Sequence, residues 1–250
     1  MRTTYEERRA ELSSRLDEVS RRIARAAESA GRDPKDIELL PVTKFHPYED
    51  LQVLADCGVT AVGENREQEA RDKANRLYEA GVSLHLEMIG QVQSKKTNHI
   101  ARWAHRVHTV DRLKIVHGLD SGMKRALDGG DRVSTERGNA GQLPVFLQWS
   151  ADGDPSRGGA SEDDLDSLAD AVNSSHYLTL EGLMVVPPRD DDSAQVFARA
   201  AELSEAIRRK HGGRGGLSAG MSGDLEHAIV AGSTVVRVGT AILGSRPVTL

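Results

Sequence analysis

The chain has 250 residues, 33 basic and 38 acidic, for a formal net charge of −5, and only 4% of it is aromatic. Binding to a phosphate backbone shows as a basic excess, and stacking on bases needs aromatic platforms, so a nucleic-acid partner is not expected. One cysteine, Cys57, cannot close an internal disulfide, residues 1–11 are charged and lack the apolar core of a signal peptide, and the longest apolar stretch, 228–244, is broken by Arg237 and falls short of the ~18 residues of a membrane span, which together lead us to expect a cytoplasmic protein that does not enter a membrane.

Residues 4–30 read as a helix. Thr4 and Glu7 have capping-box spacing, Leu12, Leu16, Val19 and Ile23 recur every three or four residues, and Gly31 supplies a stop. From there strands and helices alternate. A strand at 37–43 precedes a helix at 47–57, with Pro47 in its first turn and Cys57 as a small core residue. The short strand 60–62 leads through Gly63-Glu64-Asn65 into a helix ending near 80. Strand 84–89 precedes a helix near 94–103, and strand 106–110 a helix to about 127 with Asp111 as its N-cap. Residues 128–142 are polar and glycine-rich and read as a mobile loop. Strand 143–149, a helix to about 173 capped by Ser161, strand 178–186, a helix over 193–210, a strand near 216–219, a helix over 222–231, strand 234–238 and a final turn at 240–244 complete the pattern.

Regular alternation of this kind implies a parallel sheet, and about eight strand–helix units in some 210 residues after one leading helix (1–31) fit a (β/α)₈ TIM barrel filling residues 1–250 as a single domain. A doubly wound open sheet is the structural alternative. In a barrel the functional face lies at the C-terminal strand ends, and the loops after the seventh and eighth strands often hold a phosphate. Those loops are Gly220-Met221-Ser222-Gly223-Asp224 and Gly239-Thr240, with Ser222 expected to cap the next helix. Lys44 ends the first strand, which adjoins the eighth when a barrel closes. A primary amine beside a phosphate cup suits either a phosphorylated sugar or pyridoxal phosphate held as a Schiff base. Arg237 should point the same way along its strand as Gly239, and inside a barrel it needs a partner: a pyridine nitrogen, or a carboxylate from a neighbouring strand.

Other signals are weaker. Gly216-Leu217-Ser218-Ala219-Gly220 has the G-x-S-x-G pattern, but Ser218 falls within a strand and the acids and histidine that follow sit on the next short helix. His105 and His108 would face opposite sides of a strand, so they make no metal pair. Asp190-Asp191-Asp192 reads as a solvated loop, and neither a G-x-x-x-x-G-K nor a G-x-G-x-x-G fingerprint occurs.

Several segments occur together: Val42-Thr43-Lys44 with Pro47, Gly63-Glu64-Asn65 with Gln68-Glu69, Ile89-Gly90 with Gln93-Ser94, His108 to Leu113, Gly182-Leu183-Met184, Leu217 to Ser222, and Arg237 to Gly244. On these, over nearly its whole length, the chain resembles the pyridoxal phosphate homeostasis proteins (the YggS/PROSC type). The resemblance implies a barrel similar to the N-terminal domain of alanine racemase, with pyridoxal 5′-phosphate on Lys44, its phosphate held by Ser222, Gly239 and Thr240 beside Met221, Arg237 facing the pyridine nitrogen and Asn65 beside the ring. It also implies a carrier that buffers or delivers the cofactor, with apo-enzymes as transient partners and a link to amino-acid and keto-acid balance. A monomer is expected, since nothing in the chain reads as a dimerising segment.

The chain departs from the family pattern at four places. Glu87-Met88 precedes Ile89-Gly90 where a His-Phe pair is common, Lys95 replaces Asn, Trp149 replaces a strand-ending Asn, and Arg157-Gly158-Gly159 replaces a Lys-Ser-Gly-like run. Guanidinium keeps its proton at accessible pH, so an arginine partner leaves the pyridine a weak electron sink. Racemisation needs groups on both faces of a substrate carbon, and the second comes in alanine racemase from a C-terminal domain that this sequence is not expected to carry. A non-catalytic carrier is therefore expected ahead of a weak racemase or lyase using the same lysine, and ahead of an aldolase-like sugar-phosphate barrel, where Arg237 would lack a role.

Overall fold

A computed structural model describes residues 4–132, 141–188 and 192–245. The expected leading helix is α1 (Tyr5–Ser29). Thr4 and Glu7 complete a reciprocal capping box, and the stripe from Leu12 to Ile23 is buried. Strands and helices then alternate: β1 (Glu38–Pro41), α2 (Tyr48–Asp56), β2 (Ala61–Glu64), α3 (Glu67–Glu79), β3 (His85–Met88), α4 (Thr97–Trp103), β4 (Ala104–Val110), α5 (Leu113–Asp128), β5 (Leu143–Gln148), α6 (Glu162–Asn173), β6 (Leu178–Met184), α7 (Ser193–His211), β7 (Gly216–Ser218), α8 (Leu225–Val230), β8 (Val235–Val238) and the single turn α9 (Thr240–Leu243).

The strands run parallel in the order β1-β8-β7-β6-β5-β4-β3-β2. The seam between β1 and β2 closes through a bridge between Val42 and Gly63 and the hydrogen bond from Thr43 N–H to Gly63 O, 3.0 Å. This is the expected barrel, not the open sheet. Gly182 shows how tightly the wall is built: at φ +150° a Cβ would lie 1.9 Å from Gly216 O on the next strand, so only glycine lets β6 and β7 meet there.

Two apolar cores result. The larger packs the outward strand faces beneath the helices. A smaller plug of Leu40, Phe146, Met184 and Val235 fills part of the interior. α1 lies outside the wall and clasps the first and last units of the barrel. Arg8 reaches Asp50 of α2 and Leu243 O of α9, and Arg22 grips Glu226 of α8.

Several boundaries differ from expectation. Pro47 is the N-cap position of α2 instead of its first residue, and Cys57 is the helix's C-cap, half-buried and packed against the main core. α5 starts at Leu113, because the Asp111 carboxylate takes the Gly159 N–H and the Arg112 guanidinium instead of capping the helix. The loop expected over 128–142 lies for residues 133–140 outside the described residues, as do Asp190 and Asp191; Asp192 caps α7. Among the described residues no helix is long and apolar enough to cross a membrane, and no cluster of three histidines, cysteines or acids could hold a metal ion.

Candidate functional site

The loops after β7 and β8 meet at the C-terminal mouth. The Arg237 N–H donates to Gly220 O at 2.9 Å, tying their bases together. Ser222 does not cap α8 as expected. Asp224 holds the N-cap position and its carboxylate takes the Met221 N–H. That leaves the Ser222 hydroxyl to face the neighbouring loop, where it makes a long 3.4 Å contact with the Ala241 N–H in the first turn of α9. Helix-start amides lack acceptors within their own helix. The half-buried Ser222 hydroxyl, the exposed Thr240 and the backbone N–H groups at Gly239 and Thr240 therefore form a donor set that suits a phosphate. Met221 stands exposed at the rim.

Lys44 lies at the seam beside this cup. Val42 N–H donates to Val238 O at 2.9 Å, and a Cβ on Gly239 would sit 3.5 Å from that of Val42, so the β8 loop abuts the end of β1. Beyond Thr43 the chain turns sharply. Phe45, at φ +68°, is the one non-glycine with positive φ among the described residues. Such a conformation persists only where its surroundings enforce it. Glu69 takes the Phe45 N–H at 2.8 Å. Lys73 Nζ bridges Thr43 O (3.0 Å), Glu64 Oε1 (2.7 Å) and Glu69 Oε1 (2.7 Å), and the Thr43 hydroxyl donates to Glu64 Oε1 at 2.6 Å. Burial raises the Glu64 pKa in spite of Lys73. The half-buried Lys44 is thus carried by a backbone pinned immediately before and after it.

Arg237 is buried inside the barrel, in register with Leu40 of β1. Among the described residues no carboxylate pairs with it. Its partners are neutral: one terminal nitrogen donates to Ser218 Oγ at 2.6 Å and the other to Val185 O at 2.9 Å. Burial pulls its pKa down to about 10, so it remains charged near neutral pH. Behind it stand residues the sequence did not single out as site residues. His108 Nδ1 lies 2.8 Å from Ser218 Oγ and His108 Nε2 2.8 Å from Glu87 Oε2. Arg106 holds Glu87 and then Glu38. Ser218, His108 and Glu87 have the contacts of a hydrolytic triad. Ser218 is fully buried and its oxygen already accepts from Arg237, so it cannot serve as a nucleophile. The signal available in the sequence was the inward phase of polar residues on successive strands.

The other half of the mouth is a pocket of about 310 Å³ bordered by Asn65, Gly90, Thr109, Trp149 and Met184. Gly90 lies so close to Asn65 that a Cβ would meet its carbonyl oxygen at 2.1 Å. Of the departures from the family pattern, Glu87 belongs to the interior and does not pair with the exposed Lys95, while Arg157 braces the mouth by donating to Val186 O and Pro187 O. The structure therefore brings Lys44, Ser222, Gly239 and Thr240 to one side of the mouth above the buried Arg237, with Met221 exposed at its rim and Asn65 bordering the pocket that forms the other half.

The chain matches the family described as alanine racemase, N-terminal domain, over residues 14–247. It is 49% identical over 226 residues to the pyridoxal phosphate homeostasis protein of Corynebacterium glutamicum, spanning 90% of this chain and 98% of that one. Among solved structures, PipY of Synechococcus elongatus PCC7942 with pyridoxal phosphate bound is similar with a TM-score of 0.76 at 25% identity, covering 93% of this chain and 100% of that one. Alanine racemase from Corynebacterium glutamicum, 17% identical with a TM-score of 0.59, is similar in fold; the likeness covers 94% of this chain and 62% of the racemase.

Proposed function

The chain belongs to the alanine racemase N-terminal domain family and to the pyridoxal phosphate homeostasis proteins, and from that premise we propose that it holds pyridoxal 5′-phosphate as a Schiff base on Lys44 and buffers or delivers it, in the service of amino-acid and keto-acid balance, without catalytic turnover. The observation that carries the reading is the meeting of Lys44 at the β1 end with the donor-rich loops after β7 and β8, above a buried arginine that has no carboxylate partner among the described residues. The donor set suits the cofactor: Ser222, Gly239 and Thr240 would hold its phosphate beside Met221, Arg237 would serve its ring nitrogen, and Asn65 would stand beside the ring. When bound, pyridoxal phosphate supplies an electrophilic aldehyde carbon and an electron-withdrawing ring.

The chain's own residues limit what that chemistry can do. Arg237 donates a hydrogen bond without surrendering its proton, which keeps the ring a weak electron sink. Lys44 offers an amine to one face only, and racemisation or elimination needs a proton-transferring group placed on the other. Transfer to apo-enzymes from a monomeric, cytoplasmic carrier follows from the same reading.

The test is the visible absorption spectrum of the purified protein beside Lys44→Ala, with borohydride reduction and mass mapping. We expect a yellow band that is lost in the variant, and a phosphopyridoxyl mass on Lys44. A colourless protein that takes up no added pyridoxal phosphate overturns the proposal. Steady-state turnover of alanine or serine enantiomers overturns its non-catalytic part in favour of a weak racemase.

A further inference from the structure

The hydrogen bonds behind Arg237 run in one direction only. Arginine can donate but not accept, so Ser218 Oγ is the acceptor in their 2.6 Å contact. The serine's own hydrogen then goes to His108 Nδ1, 2.8 Å away, which must carry none. The proton of the neutral ring therefore sits on Nε2 and is donated to Glu87 Oε2, also at 2.8 Å. The two ends of the chain, a donor-only guanidinium and a carboxylate, set the tautomer between them. Glu87 is itself fixed by Arg106, whose far side is paired with Glu38. The His108 ring packs against Phe146 with centroids 4.7 Å apart, so it has little room to turn. Burial, with Arg106 and Arg237 nearby, pushes the His108 pKa well down and keeps the ring neutral.

At the receiving end, Arg237 is anchored through both terminal nitrogens, to Ser218 on β7 and to Val185 just past β6. Two anchors on different segments fix the plane of the guanidinium. Both acceptors are neutral, so the charge is not cancelled, and three of its five N–H donors remain for another acceptor. A carboxylate in the place of Ser218 would compete for those donors.

We propose that Ser218 and His108 are positioning residues for the ring nitrogen of the bound cofactor, holding the Arg237 guanidinium in the one plane from which its remaining N–H groups address that nitrogen. The proposal rests on the reading of the site as a pyridoxal phosphate site, and it assigns to the barrel interior the work of choosing a ring with a nitrogen acceptor over one without.

The test compares two probes on the same proteins: pyridoxal phosphate, and its 1-deaza analogue, in which C–H replaces the ring nitrogen. Dissociation constants are measured for the wild type, Ser218→Ala, Ser218→Thr and His108→Phe, with borohydride labelling of Lys44 in each. Losing one hydrogen bond to a charged group corresponds to about a tenfold effect. Ser218→Ala should weaken pyridoxal phosphate by about tenfold and leave the analogue within about twofold, Ser218→Thr should recover most of the loss, and His108→Phe should follow Ser218→Ala in direction. If His108→Phe does not fold, the removal of a single oxygen in Ser218→Ala still decides the matter. Equal weakening of both probes, or of neither, in variants that still label Lys44 overturns the relay and leaves the cofactor reading standing. A wild type that labels no lysine overturns that reading and the relay with it.

Discussion

Two buried polar assemblies support the mouth, and they are built on opposite plans. The one that carries Lys44 lies in the wall between β2 and α3. It is ionic and local in sequence: Glu64, Glu69 and Lys73 fall within ten residues and converge on one ammonium group. The one that carries Arg237 runs through the barrel interior. It presents neutral atoms to the arginine and keeps its carboxylates, Glu87 and Glu38, at the far end, joined across strands up to 110 residues apart in sequence. The difference suits what each holds. A backbone turn strained at Phe45 needs a stiff brace, and charge neutralised within the brace does no harm there. A guanidinium meant to address a ligand must keep its charge available, so its support is polar but uncharged at the point of contact.

The brace should be the more fragile of the two when one charge is removed. Glu64 is fully buried, and its Oε2 has no hydrogen-bond partner even with Lys73 in place. Lys73→Met would leave that carboxylate uncompensated, and breaking a buried pair costs about 3–5 kcal/mol. We expect a loss of that size in urea unfolding at pH 7. The loss should shrink at pH 5, because Glu64, already raised by burial, can then take a proton and become neutral. A variant as stable as the wild type at pH 7 would show that the brace is not the support assumed here.

Acid should act on the two histidines of β4, His105 and the relay's His108, more than on the brace. Burial, then the facing ring of His85, holds the pKa of His105 down to about 4, and His108 is held well below its ordinary value. In the unfolded chain both take a proton near pH 6.5, before the folded protein does. Their contribution is therefore complete above pH 6.5 and is lost as pH falls below it, for His105 until about pH 4. The brace runs the other way, since Glu64 binds its proton earlier when folded. Asp50 does not interfere in this window: burial pushes it up, but His46 and Arg8 outweigh that and hold it at about 2. Unfolding titrations should show stability falling from pH 6.5 to 4.5, with His105 accounting for about 2 kcal/mol of the loss and His105→Gln flattening the slope accordingly. A flat profile would mean that these imidazoles take up protons in the folded protein without cost.

The sequence disclosed the two assemblies unequally, for the same structural reason. α1 announces itself because a surface helix carries its own signal, the Thr4–Glu7 box and a single apolar stripe. The strands read as apolar runs because one of their faces lies under helices, and their order followed from alternation alone. Lys44, Ser222, Arg237, Gly239 and Thr240 could be placed together because barrel closure brings the first and eighth strands side by side. Local capping was less legible: Ser222 and Asp224 are both good N-caps, and Asp224 takes the position while its carboxylate accepts the Met221 N–H three residues back in the same loop. The interior relay was hardest to see. Glu87 stood out only as a departure from the family pattern, and His108 only as the start of a family segment and as a histidine without a metal partner, neither of which gave it a role. Their meaning depends on β3, β4 and β7 curling until residues 21 and 110 positions apart touch.

The smallest expected stability effect is at Arg237, and it sets the two plans against each other most sharply. Lys73 is surrounded by carboxylates that need it. Arg237 has no such dependants, and burial makes its charged form costly, which is why its pKa falls to about 10. Arg237→Met removes that cost. It also leaves Val185 O without its partner, while the Ser218 hydroxyl can still donate to His108. A buried acceptor left alone costs about 1–3 kcal/mol, close to what relief of the buried charge returns, so the variant should unfold within about 1 kcal/mol of the wild type when no ligand is present. Its affinity for pyridoxal phosphate should nevertheless fall, and its preference over the 1-deaza analogue should disappear. A loss of stability as large as that of Lys73→Met would make Arg237 a structural residue like the lysine, and would end the distinction between a brace that spends its charges on the fold and a relay that reserves one for a ligand.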